Sequence, residues 1–261
     1  MTGAEVDQQS RWRRLLDLLS TRERLTVSQG AELLGVSPAT VRRDFSELAA
    51  RQLATRVHGG VVATSVAYEL PARYRLAEND PRVRIARAAA AGVSPGAVIG
   101  FNGGTTTTAV ARHVAQRPDL RDSGVTAVTN SLNIATELVL RPYIRTICIG
   151  GEARPESYEL HGPYAAVLLK ELRVECLFLG IDAINAEAGV TCGHLGEATV
   201  NAEMVRAAQR VVVVAHGAKV GGYALARICG SSDVDELITD DSADASEIDR
   251  LRDAGVTVTL V

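Results

Sequence analysis

The sequence predicts a two-part α/β protein: a small N-terminal head of three helices and a β-hairpin, then a larger C-terminal α/β domain with a mainly parallel sheet. Three observations predict it. Residues 8–50 carry three amphipathic helical stretches, and a glycine-centred pair of extended runs follows at 53–63. From residue 82 onward, short and almost wholly apolar runs alternate with helical periodicity, as strands buried on both faces do. Hydrophobic residues make up 46% of the 261 and charged residues 23%, which provides a sizeable core and excludes a disordered chain.

In the head, QQSRWRRLLDLLS at 8–20 places Trp12, Leu15, Leu16, Leu18 and Leu19 on one side at helical spacing. TVSQGAELL at 26–34 reads as a second short helix, with Thr26 or Ser28 as its cap. Gly35-Val36-Ser37 makes a tight turn. Ser37 is a good N-cap, and Pro38 suits the first helical position because its missing N–H would be unpaired there anyway. The third helix runs through PATVRRDFSELAARQ with Val41, Phe45 and Leu48 inward. Two helices joined by such a turn form a helix-turn-helix. Ser37, Ala39, Thr40, Arg42 and Arg43 face outward, short residues for base edges and an arginine pair for phosphates or guanine. LATRVHGGVVA then reads as a wing whose basic tip, with Arg56, His58 and Gly59, lies along a nucleic-acid backbone. The bland alternative is a three-helix cap with a solvated arginine face.

Charge follows the same division. Residues 1–60 hold nine Arg against seven Asp or Glu, while the whole chain carries a net −3. That excludes coating nucleic acid with the whole surface and allows a local basic face. The four cysteines are far apart, none in a CxxC pair, and no histidine sits at zinc-ligand spacing, so we expect reduced structural thiols, no metal and no cofactor. No leader pattern opens the chain and no apolar run spans a bilayer, which predicts a cytoplasmic protein without membrane contact.

The expected domains are 1–63 for the winged helix-turn-helix, 64–81 for a linker with two prolines, and 82–261 for the larger domain. RVRIARAAAAGV opens the latter as an amphipathic helix. Strands are expected at 97–101, 125–129, 145–149, 176–181, 211–215, 236–239 and in the closing VTVTLV. Helices are expected at 105–116, 131–140, 162–173, 196–209 and 244–253.

Ligands of such sheets bind beyond the carboxyl ends of the strands. The first strand runs into FNGGTTTTAVARHVA, where Asn102, Gly103, Gly104, Thr105, Thr106 and Thr107 precede a helix. Strand, glycine turn and helix N-terminus make a cradle for a phosphate or carboxylate, although such turns also merely connect strand to helix. The second strand ends at Asn130, the third at Gly151, the fourth at Asp182 and the fifth at Lys219. The chain has two lysines, at 170 and 219, so a lysine kept in a glycine-flanked loop reads as a compact point charge, or else as an ordinary surface residue. Asp182 reads equally as a turn-capping carboxylate.

These segments together resemble the DeoR-type transcriptional repressors over nearly the whole chain. The head is similar through AELLGVSPATVRRDFSELAARQLATRVHGGV. The body is similar through FNGGTTTT, VTNSLNIA, IGGEARPES, FLGIDAI, GVT, GEATVNAEM and VVVVAHGAK. The resemblance implies a sensor domain related to ribose-5-phosphate isomerase, a phosphorylated-sugar effector, operator double-stranded DNA as partner near carbohydrate uptake and catabolism genes, and a homo-oligomer, dimer or tetramer. It implies that phosphate sits on Gly103–Thr107 while Asn130, Asp182 and Lys219 line the sugar. The chain departs from the family in Asn102-Gly103, where Asp-Ser is common, and in His216-Gly217-Ala218, where Asp-Ser-Ser is usual, so the sugar-reading edge is altered. GIDAIN resembles the branch that responds to amino-sugar or tagatose phosphates.

Two functions fit these residues: a ligand-gated DNA-binding regulator, or an aldose–ketose isomerase with a helical cap. An isomerase needs a base beside the carbonyl. The related isomerases cluster acids where this chain has Asp182-Ala183-Ile184-Asn185, though Glu187 and Glu197 are near in sequence. A DNA-binding head has no use on a metabolic isomerase, so the regulator is expected. Such coupling requires an effector that prefers one arrangement of the heads.

Overall fold

A computed structural model describes residues 7–22, 24–51, 53–63, 74 and 76–261. The chain divides by its internal contacts into two units, Met1–Arg75 and Leu76–Val261. Most of the expected linker, residues 64–73, lies outside the described residues.

The smaller unit contains α1 (Gln8–Arg22), β1 (Arg24–Thr26), α2 (Val27–Leu34), α3 (Pro38–Ala50), β2 (Ala54–Val57) and β3 (Gly60–Ala63). Thr26 caps α2 in a reciprocal capping box with Gln29. Gly35, at φ 66°, ends the helix in the left-handed region that glycine enters without penalty. Ser37 caps α3 by accepting from the Thr40 N–H at 3.1 Å. Leu15, Leu19, Leu34, Val41, Phe45 and Leu48 close the core, each large side chain contributing about 1.5–3 kcal/mol by leaving water. Trp12, Leu16 and Leu18 pack at its edge. A Cβ on Gly30 would fall 2.9 Å from Val41 Cγ1, so a glycine lets α2 approach α3 closely. Sequence periodicity did not reveal β1, whose three residues pair antiparallel with β3 and turn the hairpin into a three-stranded sheet.

The larger unit opens with α4 (Pro81–Ala91), capped by Asp80. Then follow β4 (Val98–Phe101), α5 (Thr105–Gln116), β5 (Val125–Thr129), α6 (Leu132–Leu138), β6 (Ile144–Cys148), β7 (Glu152–Ala153), β8 (Leu160–His161), α7 (Pro163–Lys170) and β9 (Val174–Leu179). After these come β10 (Ala183–Asn185), β11 (Gly189–Cys192), α8 (Leu195–Ala207), β12 (Ala208–Val214), β13 (Ala226–Cys229), β14 (Glu236–Thr239), α9 (Ala245–Asp253) and β15 (Thr257–Leu260).

Seven strands form one parallel sheet in the order β15-β14-β12-β9-β4-β5-β6. One face packs Ile85 of α4, Val110 and Val114 of α5 and Ile134 of α6; the other packs Leu169 of α7, Met204 of α8 and Leu251 of α9. Burial on both faces explains the unbroken apolar runs. Strand bounds shift by a few residues from expectation: β9 starts at Val174 and β12 at Ala208. The β7–β8 hairpin and the small antiparallel sheet β10-β11-β13 were not anticipated. Their strands have two to four residues, too few to show a period of two.

The sheet order reverses between β4 and β9. From β4 the chain steps outward through β5 and β6; from β9 it steps the other way through β12 and β14. Loops leaving β4 and β9 therefore diverge and open a crevice at their carboxyl ends. Among the described residues no helix is long and apolar enough to cross a membrane, and no group of three or more His, Cys, Asp or Glu is placed to hold a metal.

Candidate functional site

The crevice begins with a latch. Asn102 leaves β4 buried at 1% exposure; its Nδ2 donates to the Gly180 carbonyl at 2.8 Å and its Oδ1 accepts the Gly180 N–H at 2.7 Å. Both ends of this amide are used, so Asn102 ties β4 to the loop after β9 and does not present its side chain to a ligand. An aspartate could accept the N–H but could not donate to the carbonyl, which gives the departure at this position a structural reason.

Gly103 and Gly104 turn the chain, Gly104 at φ 123°. Thr107 and Thr108 both donate their hydroxyls to the Gly104 carbonyl, at 3.0 and 2.7 Å, and are buried. Thr107 thus fastens the turn from inside; its expected contact with a ligand is not available to its side chain. Thr105 and Thr106 instead line a cleft of about 360 Å³ together with Asp80, Pro81, Arg82, His216, Ala218 and Lys219. The first turns of α4 and α5 meet there, each bringing the positive end of a helix dipole.

Lys219 donates to the Ile181 carbonyl and stands 4.0 Å from Asp182 Oδ1. Burial lowers its pKa, Asp182 opposes that shift, and the charge of Arg82 adds to it. Arg82 is held in a fork by Asp80, Nε to Oδ1 at 2.8 Å and Nη2 to Oδ2 at 2.5 Å, which lowers the Asp80 pKa. The loop carrying Lys219 is fixed by buried Asp240, which accepts the Gly217 N–H at 2.8 Å, and by His216 Nδ1, which accepts from Ala218 at 3.1 Å. A Cβ on Gly217 would lie 2.3 Å from the Ala243 nitrogen, so only glycine fits. Asp182 also accepts the Gly193 N–H at 2.8 Å.

Asn130 and Gly151 lie elsewhere. Gly151 is exposed at the start of the β7–β8 hairpin, where a Cβ would meet the His161 carbonyl at 2.4 Å; its glycine serves the hairpin. Asn130 is fully buried beside Glu159, a residue that sequence reading did not single out. Glu159 is 5% exposed, and its Oε2 accepts from Asn130 Nδ2 at 3.1 Å and Asn201 Nδ2 at 3.3 Å. Burial, reinforced by Glu197, pushes its pKa up to about 7. Glu197 is held by Arg154 at 2.8 Å and the Ser157 hydroxyl at 2.5 Å. Nothing local marks Glu159, whereas Asp80-Pro81 is a helix-start signal that could have pointed to Arg82.

In the smaller unit, Ser37, Ala39, Arg42 and Arg43 are exposed on α3 and its cap, with Thr40 half-buried. Arg42 and Arg43 make no ion pair with the described residues. The next residue in RRD acts differently: Asp44 is buried and accepts from Arg11 Nε at 2.8 Å and Trp12 Nε1 at 3.1 Å, which pins α1 to α3. The wing tip is His58-Gly59, with Gly59 at φ 78°. Arg56 sits back in β2 and donates to the Ser46 hydroxyl at 2.5 Å, so it braces wing against helix instead of forming the tip. Arg24 of β1, unforeseen in the sequence, reaches the His58 carbonyl at 3.1 Å.

The family model described as the DeoR C terminal sensor domain matches residues 78–241, and the DeoR-like helix-turn-helix domain matches 11–66. The HTH-type transcriptional regulator GlpR of Haloferax volcanii is 35% identical over 250 residues, spanning 95% of this chain and 96% of its own. The glycerol-3-phosphate regulon repressor of Escherichia coli K12 is 28% identical over 256 residues, spanning 98% and 100%. Ribose 5-phosphate isomerase A of Methanocaldococcus jannaschii overlays 52% of each chain at 20% identity with a TM-score of 0.39. With a basic helix-turn-helix face in one unit, a polar cleft at the sheet reversal in the other, and both family models matched in that order, the chain belongs to the DeoR family of DNA-binding transcriptional regulators.

Proposed function

We propose that this chain is a repressor of carbohydrate uptake or catabolism genes whose hold on operator DNA is set by a phosphorylated sugar in the larger unit. The observation that carries this reading is the cleft where two helix N-termini meet Arg82 and Lys219. Two cations and two positive dipole ends have one carboxylate, Asp80, on Arg82 and one, Asp182, at 4.0 Å from Lys219. An arriving phosphate adds the anion that this field favours, taking N–H groups of the first turn of α5 and sharing Arg82 with Asp80. The name of one relative refers to the glycerol-3-phosphate regulon, which supports a phosphorylated polyol class.

Ser37, Ala39, Thr40, Arg42 and Arg43 enter the major groove in this reading, with His58 and Gly59 along the backbone. A homo-oligomer presents two such heads to half-sites about 34 Å apart, one turn of DNA. An isomerase is not favoured: Ala183–Asn185 form β10 and add no second acid beside Asp182, and the relatives are regulators.

The test is an electrophoretic shift with DNA from upstream of the chain's own gene, run against glucose, galactosamine, glucosamine and tagatose 6-phosphates, glycerol 3-phosphate and their unphosphorylated counterparts. One phosphorylated member is expected to release the DNA and its unphosphorylated counterpart is not. Equal release by both would overturn the reading.

A further inference from the structure

Glu159 sits where the anion cleft alone gives it no task. It lies against the glycine turn: a Cβ on Gly103 would fall 2.4 Å from Glu159 Cγ and 2.6 Å from its Oε1. Any residue but glycine at 103 would have to displace this carboxyl. Thr105, which lines the cleft, is two residues further on, at most about 7 Å along the chain. The residue that meets the carboxyl and the residue that lines the cleft therefore belong to one turn, within one small ligand's length of each other.

The hydrogen-bonding state around this carboxyl is lopsided. Asn130 and Asn201 both use their Nδ2 on Oε2, and both leave Oδ1 buried without a partner. No donor among the described residues reaches Glu159 Oε1. Unfilled capacity here consists of oxygen acceptors, and buried acceptors are ordinarily satisfied. The nearby guanidinium of Arg154 is engaged by Glu197 and Glu156. A second phosphate or a carboxylate would be repelled by Glu159 and Glu197. A group that brings N–H or O–H donors would fill what is left open.

We propose that Glu159, backed by the carboxamides of Asn130 and Asn201, selects the effector by accepting a hydrogen bond from a hydroxyl or ammonium on the end of the ligand remote from its phosphate. The inference rests on the sugar-phosphate reading above and adds to it the residue that distinguishes one phosphorylated ligand from another. Gly103 is part of the device, because it clears the volume in which the carboxyl stands.

Calorimetric titration of the full chain with the same phosphorylated panel and with inorganic phosphate tests it, comparing wild type with Glu159→Gln and, should that variant not fold, Glu159→Ser. Wild type is expected to bind one panel member more tightly than inorganic phosphate. Losing the carboxylate should weaken that member at least about tenfold and inorganic phosphate by less than about twofold. Glucosamine against glucose 6-phosphate separates the two donors: an ammonium partner loses more affinity than its hydroxyl counterpart in the variant, and a hydroxyl partner loses no less. Either result supports the assignment. Unchanged affinity for the panel member, or equal loss for it and inorganic phosphate, overturns it. If wild type binds inorganic phosphate and no panel member more tightly, the selector is overturned while the anion cleft stands. If it binds neither, the underlying reading falls and the assignment with it.

Discussion

Glu159 makes a pH-dependent contribution whose sign follows from its surroundings. Asn130 after β5, Asn201 and Glu197 on α8, Asp182 after β9 and Arg154 after β7 face it. Its carboxyl titrates near 7 in the fold against 4.5 ordinarily, so between those values the native state binds more protons than the unfolded chain. Stability then falls as pH rises through this window, by up to about 3 kcal/mol, and is flat on either side. Glu159→Gln removes the effect, so the melting temperature of the variant relative to wild type should climb from pH 5 to pH 8; a constant difference would count against the raised pKa. Residues at this scale were unevenly legible. Thr105, Thr106 and Lys219 could be read because motif and composition mark them locally. Asn102 could not, because its partner, Gly180, is 78 residues away, and Glu159 acquires meaning only when distant loops converge, whereas Arg82 has only the Asp80-Pro81 helix start beside it to mark it.

Elements were legible wherever a cap or an apolar period is written into consecutive residues. Ser37-Pro38 starts α3 where it was expected, and the parallel strands followed from their doubly buried runs. The strands β1, β7, β8, β10, β11 and β13 were not legible, because tertiary pairing makes them. β1 forms because β3 lies beside it, close enough that a Cβ on Gly60 would fall 2.1 Å from the Leu25 carbonyl. The start of α3 has two duties that substitution can separate. Ser37→Ala removes the cap and should cost the head about 1 kcal/mol. Ser37→Asp retains a capping oxygen at the positive helix end and should keep that stability, yet place a negative charge against DNA phosphates and weaken operator binding. Denaturant melts paired with binding isotherms check both. Undiminished operator affinity in a folded Ser37→Asp protein would remove the α3 start from the proposed interface.

At the scale of the whole molecule, the proposed function divides between two units, DNA contact in Met1–Arg75 and ligand capture in Leu76–Val261. Coupling then requires only that the effector bind one state of the chain more tightly than another. In the sequence the basic head and the alternating body differ in both charge and period. The most direct measurement is operator binding by fluorescence anisotropy, with and without the releasing sugar phosphate and across salt, for wild type, Lys219→Ala and Arg43→Ala. The account predicts that Lys219→Ala binds operator as wild type does but needs at least about tenfold more effector to release it. It predicts that Arg43→Ala binds weakly with a salt slope shallower by about one, while still capturing effector. Loss of operator binding in a folded Lys219→Ala protein would contradict it.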